Sequence, residues 1–111
     1  MKVVKVGKFP SEAQQDISMK TVFDDSVVEG GRTLFGTVTI PPGGRVPLEG
    51  TGSHERDEYS IIIKGSILTM SNGQTRRVSA GEAIFIPCGE THWAHNDGKD
   101  SCDIVWALVR R

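Results

Sequence analysis

Two histidines and one glutamate are the residues of this chain best suited to chemistry. His54 and Glu58 lie four residues apart, and His92 follows a Pro-Cys-Gly turn at the end of an apolar run. Two imidazoles and one carboxylate form a suitable ligand set for a divalent metal such as Fe, Mn, Ni or Zn. We therefore predict that His54, Glu58 and His92 meet around one metal ion, if the fold points all three side chains into the same interior.

Short apolar runs separated by turn residues must position these side chains. Thirteen glycines and five prolines interrupt the chain, and the runs between them are rich in β-branched and aromatic residues. The pattern predicts strands at 19–23, 32–40, 58–64, 66–71, 75–80, 83–87, 91–96 and 102–109. Asn-Gly at 72–73 predicts a tight hairpin, and Gly65 predicts a bulge or sharp corner. The best helical candidate is one turn in SEAQQD at 11–16, so we expect an all-β sandwich or small barrel.

Strand alternation assigns the candidate residues to faces. Glu58 shares a face with residues 60 and 62, opposite an apolar set at 59, 61 and 63. His92 similarly lies opposite His95, which we interpret as a surface or interface residue. The apolar outer face predicts a second covering layer. In so small a chain we expect that layer to be a second copy, which makes the protein a homodimer.

Length, charge and cysteine content exclude several classes of protein. The 111 residues suit a single domain, and 37% hydrophobic with 24% charged residues is typical of globular domains. A formal net charge of -1 gives no basic surface for nucleic acid, and no apolar run is long enough to span a membrane. The two cysteines form no CxxC motif, and the N-terminal MKVVKVGKFP lacks the apolar segment of a signal peptide. We expect a cytoplasmic protein with reduced thiols.

Two motifs carry a resemblance to the cupin superfamily. The stretch GEAIFIPCGETHWAHN matches the second cupin motif, G-x5-P-x-G-x2-H-x3-N, at Gly81, Pro87, Gly89, His92 and Asn96. The second half of the first cupin motif is also present, as His54, Glu58 and Gly65 with the family's spacing. The resemblance covers roughly residues 34–109. It implies an all-β cupin fold, a double-stranded β-helix that forms a jelly-roll-like barrel in a single domain. The barrel would occupy 31–111, and residues 1–30 would form an N-terminal arm packed on the barrel or on a partner.

One position departs from the family pattern. Gly52 stands where the first cupin motif usually has its first histidine, in the loop EGTGSHERDE. If residues are inserted in this loop, Glu49 falls at that histidine's position instead. The resemblance therefore implies either a set of His54, Glu58 and His92 or the same set with Glu49 as a second carboxylate. A lost metal site is the third possibility.

The resemblance implies a small cupin that binds a small-molecule ligand or substrate at a divalent metal inside the barrel. Isomerase, lyase, hydrolase and dioxygenase chemistries all remain open, so enzymatic activity is uncertain and no catalytic residue is assigned. In an enzyme, Glu49 would serve as an extra ligand or as a general base. The alternative is a non-catalytic binding or sensing cupin with a degenerate or absent metal site. The incomplete first motif favours this alternative somewhat.

Overall fold

Nine strands account for about half of the chain in the computed structural model, which describes residues 1–12, 16–52 and 54–111. The strands are β1 Ser18–Phe23, β2 Thr33–Ile40, β3 Arg45–Val46, β4 Asp57–Lys64, β5 Ser66–Ser71, β6 Gln74–Ser79, β7 Ala83–Ile86, β8 His92–His95 and β9 Cys102–Val109. Two three-residue 3-10 helices, Val6–Lys8 and Asp25–Val27, lie in the N-terminal part. All eight strand predictions are confirmed, and the two-residue β3 was not predicted. The predicted turn at 11–16 falls largely on residues 13–15, outside the described residues.

The strands form two antiparallel sheets that pack into an all-β barrel, the architecture that the resemblance implies. One sheet has the order β1-β2-β9-β4-β7, and the other has the order β3-β8-β5-β6. Successive strands cross repeatedly from one sheet to the other, as in a jelly roll. The segment 1–30, predicted as an arm, contributes β1, which pairs with β2 at the edge of the larger sheet.

Two glycines shape the turns that the sequence predicted. Gly65, with φ 80°, lies between β4 in one sheet and β5 in the other. A Cβ at this position would lie 2.5 Å from the carbonyl oxygen of Ser101, so glycine is required at the corner. Asn72 and Gly73, with φ 51° and 77°, close the β5–β6 hairpin as the primed turn expected for Asn-Gly.

The core between the sheets is mostly aliphatic, and the buried side-chain amide of Asn96 forms hydrogen bonds at its edge. Ile62 from the larger sheet and Ile67 from the smaller one are fully buried, together with Cys102. Burial raises the pKa of the Cys102 thiol to about 11, which keeps the thiol neutral in the core. Asn96, also buried, donates to the carbonyls of Ile40 and Asp100 and accepts from the N–H of Gly98. Its place in the second motif is therefore structural, since it ties the end of β8 to β2 and to the loop before β9.

β4 alternates as predicted. Glu58, Ser60 and Ile62 face the interior, and the outer set at 59, 61 and 63 is exposed.

Within the described ranges, no helix is long and apolar enough to span a membrane.

Candidate metal centre

The structure brings His54, Glu58 and His92 together. Each residue offers one ligand atom, and these atoms all lie within 4.8 Å of one another. His54 lies in the loop before β4, Glu58 on β4 of the larger sheet, and His92 at the start of β8 in the smaller sheet. The cluster therefore joins the two sheets at one end of the barrel.

The three side chains are packed closely yet stay within reach of solvent. Nε2 of His54 lies 3.2 Å from Oε1 of Glu58, and the rings of His54 and His92 have centroids 5.0 Å apart. The side chains of His54 and Glu58 are 25% and 22% exposed, so a small ion can reach them without unfolding. This arrangement suits a site that exchanges ions or small ligands with the solvent.

Backbone carbonyls select the tautomer of both imidazoles. Nδ1 of His54 lies 2.7 Å from the carbonyl oxygen of Arg56, and Nδ1 of His92 lies 3.0 Å from that of Glu90. Because a carbonyl oxygen only accepts, each Nδ1 must carry the proton in these bonds. In the neutral ring, Nε2 then carries a free lone pair. This tautomer of histidine can bind a metal through Nε2. Nε2 of His54 lies within hydrogen-bond distance of the Glu58 carboxylate, so the pair can share either a proton, as an imidazolium–carboxylate pair, or a bound cation.

The Pro-Cys-Gly turn connects the two ligand-bearing segments. The N–H of Gly89 donates to the carbonyl oxygen of His54 over 2.9 Å, and the N–H of Cys88 donates to Oδ1 of Asp57 over the same distance. Gly89 adopts φ 82°, a left-handed conformation that glycine accepts without strain. The turn before His92 is thus hydrogen-bonded directly to His54 and to Asp57, the neighbour of Glu58.

Two arginine–aspartate pairs brace this end of the barrel. Arg56, whose carbonyl accepts from His54, binds Asp25 through both guanidinium nitrogens at 2.9 and 2.8 Å. Arg111 pairs with Asp57, the acceptor of the Cys88 N–H. Hydrogen bonds from these arginines are the main reason that the pKa values of Asp25 and Asp57 are lowered. Sequence reasoning missed both pairs, because partners 31 and 54 residues apart leave no local signal.

The cluster opens onto an apolar cavity of about 270 Å³. Aliphatic side chains from both sheets form most of its wall, with the ring of Trp106. Apart from the three candidate ligands, the polar side chains of the wall are Ser60 and Thr69, and no Lys or Arg is among the described lining residues. Thr69 is already engaged, because its hydroxyl donates to the carbonyl of Trp93.

Glu49, the fourth predicted site residue, lies elsewhere. It is exposed and lines a separate surface depression with Arg45, Leu48 and His95. The three-residue cluster therefore forms without it. Its loop follows the short strand β3, which was not predicted, so its direction was not readable from the spacing.

Curated relatives match a minor part of their own length. The chain is 30% identical over 81 residues to mannose-1-phosphate guanylyltransferase ManC of Salmonella typhimurium, which is 73% of this chain and 16% of that protein. It is 35% identical over 68 residues to endoribonuclease YbeY of Myxococcus xanthus, 61% of this chain and 22% of that protein. The chain thus spans less than a quarter of either relative.

Solved structures share the whole fold at low identity. A predicted oxalate decarboxylase from Thermotoga maritima superposes with a TM-score of 0.85 at 22% identity, covering 99% of this chain and 100% of the other. The polyketide cyclase RemF from Streptomyces resistomycificus gives a TM-score of 0.78 at 22% identity, covering 100% and 80%. At these identities the likeness concerns the fold alone.

The family itself is identified from the sequence. The Cupin_2 profile, which describes the cupin domain, matches residues 36–108. This range contains both motifs, all three clustered residues and the strands that carry them. The chain belongs to the cupin domain family.

Proposed function

We propose that this protein is a metal-binding cupin that holds a small, largely apolar molecule against a divalent metal at His54, Glu58 and His92. The observation that carries the proposal is the convergence of His54, Glu58 and His92, whose ligand atoms all lie within 4.8 Å of one another. Two nitrogens and one oxygen fit Fe, Mn, Ni or Zn. When bound, such an ion supplies a Lewis acid that polarises an oxygen of the bound molecule.

The protein's own contribution is to orient the ligands and to shape the cavity. The carbonyls of Arg56 and Glu90 fix the rings, so little reorganisation is needed when an ion enters. The aliphatic wall behind the cluster excludes water from the body of a bound molecule. We therefore expect a ligand with one oxygen-bearing end and an apolar remainder.

The side chains that line the cavity also indicate which ligand charge it accommodates. A phosphate group is normally bound by Arg, Lys or backbone N–H groups. No cationic side chain is among the described residues of the wall. The mannose 1-phosphate in the names of several relatives is accordingly a poor fit to this cavity.

Binding without turnover is the second candidate function. Isomerase and lyase chemistry usually needs an acid or a base beside the substrate. Beyond the three candidate ligands, the described wall offers the Ser60 hydroxyl and the already engaged Thr69. This shortage of proton-transfer groups favours a binder or sensor, and it leaves any catalysis to the metal.

A pair of probes tests the proposal. Hexanohydroxamic acid carries a metal-binding head and an apolar tail, whereas mannose 1-phosphate carries a dianionic group on a polar ring. We expect calorimetry with Zn²⁺- or Co²⁺-loaded protein to detect the hydroxamate and not the sugar phosphate, and a chelator to abolish the signal. Equal binding before and after chelation would favour a metal-free binder. Tighter binding of mannose 1-phosphate would contradict the assigned ligand class.

A further inference from the structure

Gly52 lies directly opposite His92. The N–H of Gly52 donates to the carbonyl oxygen of His92, and the N–H of His92 donates to the carbonyl oxygen of Gly52, both over 2.9 Å. The two residues form an isolated antiparallel bridge beside the site. Directly opposed residues in an antiparallel pair carry their side chains on the same face. A side chain at position 52 would therefore point beside the imidazole of His92, toward the metal centre.

Neither the backbone nor crowding requires glycine at this position. A Cβ built on Gly52 meets ring carbons of Pro47 at 3.7 Å, which is ordinary van der Waals contact. The φ of Gly52 is outside the left-handed region. Gly65 is the contrast, since a Cβ there would collide with the backbone of Ser101. At position 52 the missing side chain leaves free space next to the candidate ligands.

We propose that Gly52 keeps one side of the metal centre open, and that the bound molecule places its donor atom on that side. This inference rests on the proposed metal site. His54, Glu58 and His92 supply three ligand atoms, whereas the ions they suit take four to six. No further His, Cys, Asp or Glu of the described residues joins the cluster. The remaining positions are thus available to water or to the ligand, and Gly52 determines which side is accessible.

The test is Gly52→His in the full chain, with Gly52→Ala as the matched control. A histidine at position 52 would supply a fourth protein ligand and fill the open side. We expect the Kd for Co²⁺ to fall by about tenfold or more, on the scale at which single residues around metal sites alter affinity. We also expect azide, an anion that occupies free coordination positions, to shift the visible spectrum of Co²⁺-loaded wild type and Gly52→Ala more strongly than that of Gly52→His.

The outcomes separate this inference from the metal site itself. Wild-type protein that takes up no metal would overturn the proposed function and the inference together. Wild type and Gly52→His with the same Co²⁺ affinity and the same azide response would overturn the inference alone, because position 52 would then not face the ion. If Gly52→His fails to fold, as judged by its thermal melt, Gly52→Asp offers a smaller donor side chain for the same two measurements.

Discussion

The two faces of β4 place similar residues in opposite environments. Ile62 and Ile63 are neighbours of the same type, yet Ile62 is 0% exposed and Ile63 is 56% exposed. On the inner face, Glu58 is stable in a partly enclosed position because it meets the imidazole of His54. On the outer face, Tyr59 packs against Phe85 with ring centroids 5.0 Å apart and remains exposed. The comparison shows that the pleat, rather than residue type, decides which side chains build the site and which form a surface.

The largest expected effect comes from shortening the two isoleucines in turn. Ile62→Ala should lower the free energy of unfolding by about 2–5 kcal/mol, because it empties space in a closed core. Ile63→Ala should change it by about 0.5 kcal/mol or less when the protein is dilute enough to be monomeric, as for other surface substitutions. Urea denaturation followed by tryptophan fluorescence measures both values. Equal losses would mean that the outer face is as enclosed as the inner one.

A smaller effect is expected on the oligomeric state, which should depend on the outer face of the larger sheet. We define the outer patch as Tyr59, Ile61, Ile63 and Phe85, all exposed on the larger sheet. A contiguous exposed apolar patch on a sheet is typical of a surface that another copy covers. We therefore propose a homodimer formed through the outer patch.

Ile61→Lys tests this proposal because it places a charge at the outer patch without filling the core. We expect wild type to sediment as a dimer at micromolar concentration and Ile61→Lys as a monomer. Val28→Lys is the matched control, since Val28 is exposed but lies outside the sheets. A monomeric wild type, or the same shift in both variants, would contradict the proposal.

Residue pattern alone predicted the strands, whereas the candidate metal cluster was predicted from strand faces together with motif spacing. Periodicity of two, interrupted by Gly and Asn-Gly, marks strands and their faces, and it placed Glu58 inward and His95 away from His92. The spacing of His54, Glu58 and His92 then matched a family whose fold joins them. What remained hidden depends on long-range contacts or on loop direction. The Asp25–Arg56 pair joins residues 31 apart, and Glu49 lies in an exposed loop whose direction no periodicity indicates.

The metal content of protein purified without a histidine tag tests the central claim most directly. His92→Ala removes one candidate ligand, whereas His95→Ala changes the same strand outside the cluster, and Glu49→Ala changes the predicted residue that lies apart. Elemental analysis should find about one equivalent of Fe, Mn, Ni or Zn in wild type, His95→Ala and Glu49→Ala, and little in His92→Ala. A wild type that holds no metal even after dialysis against these ions, or a His92→Ala variant that retains it fully, would contradict the account.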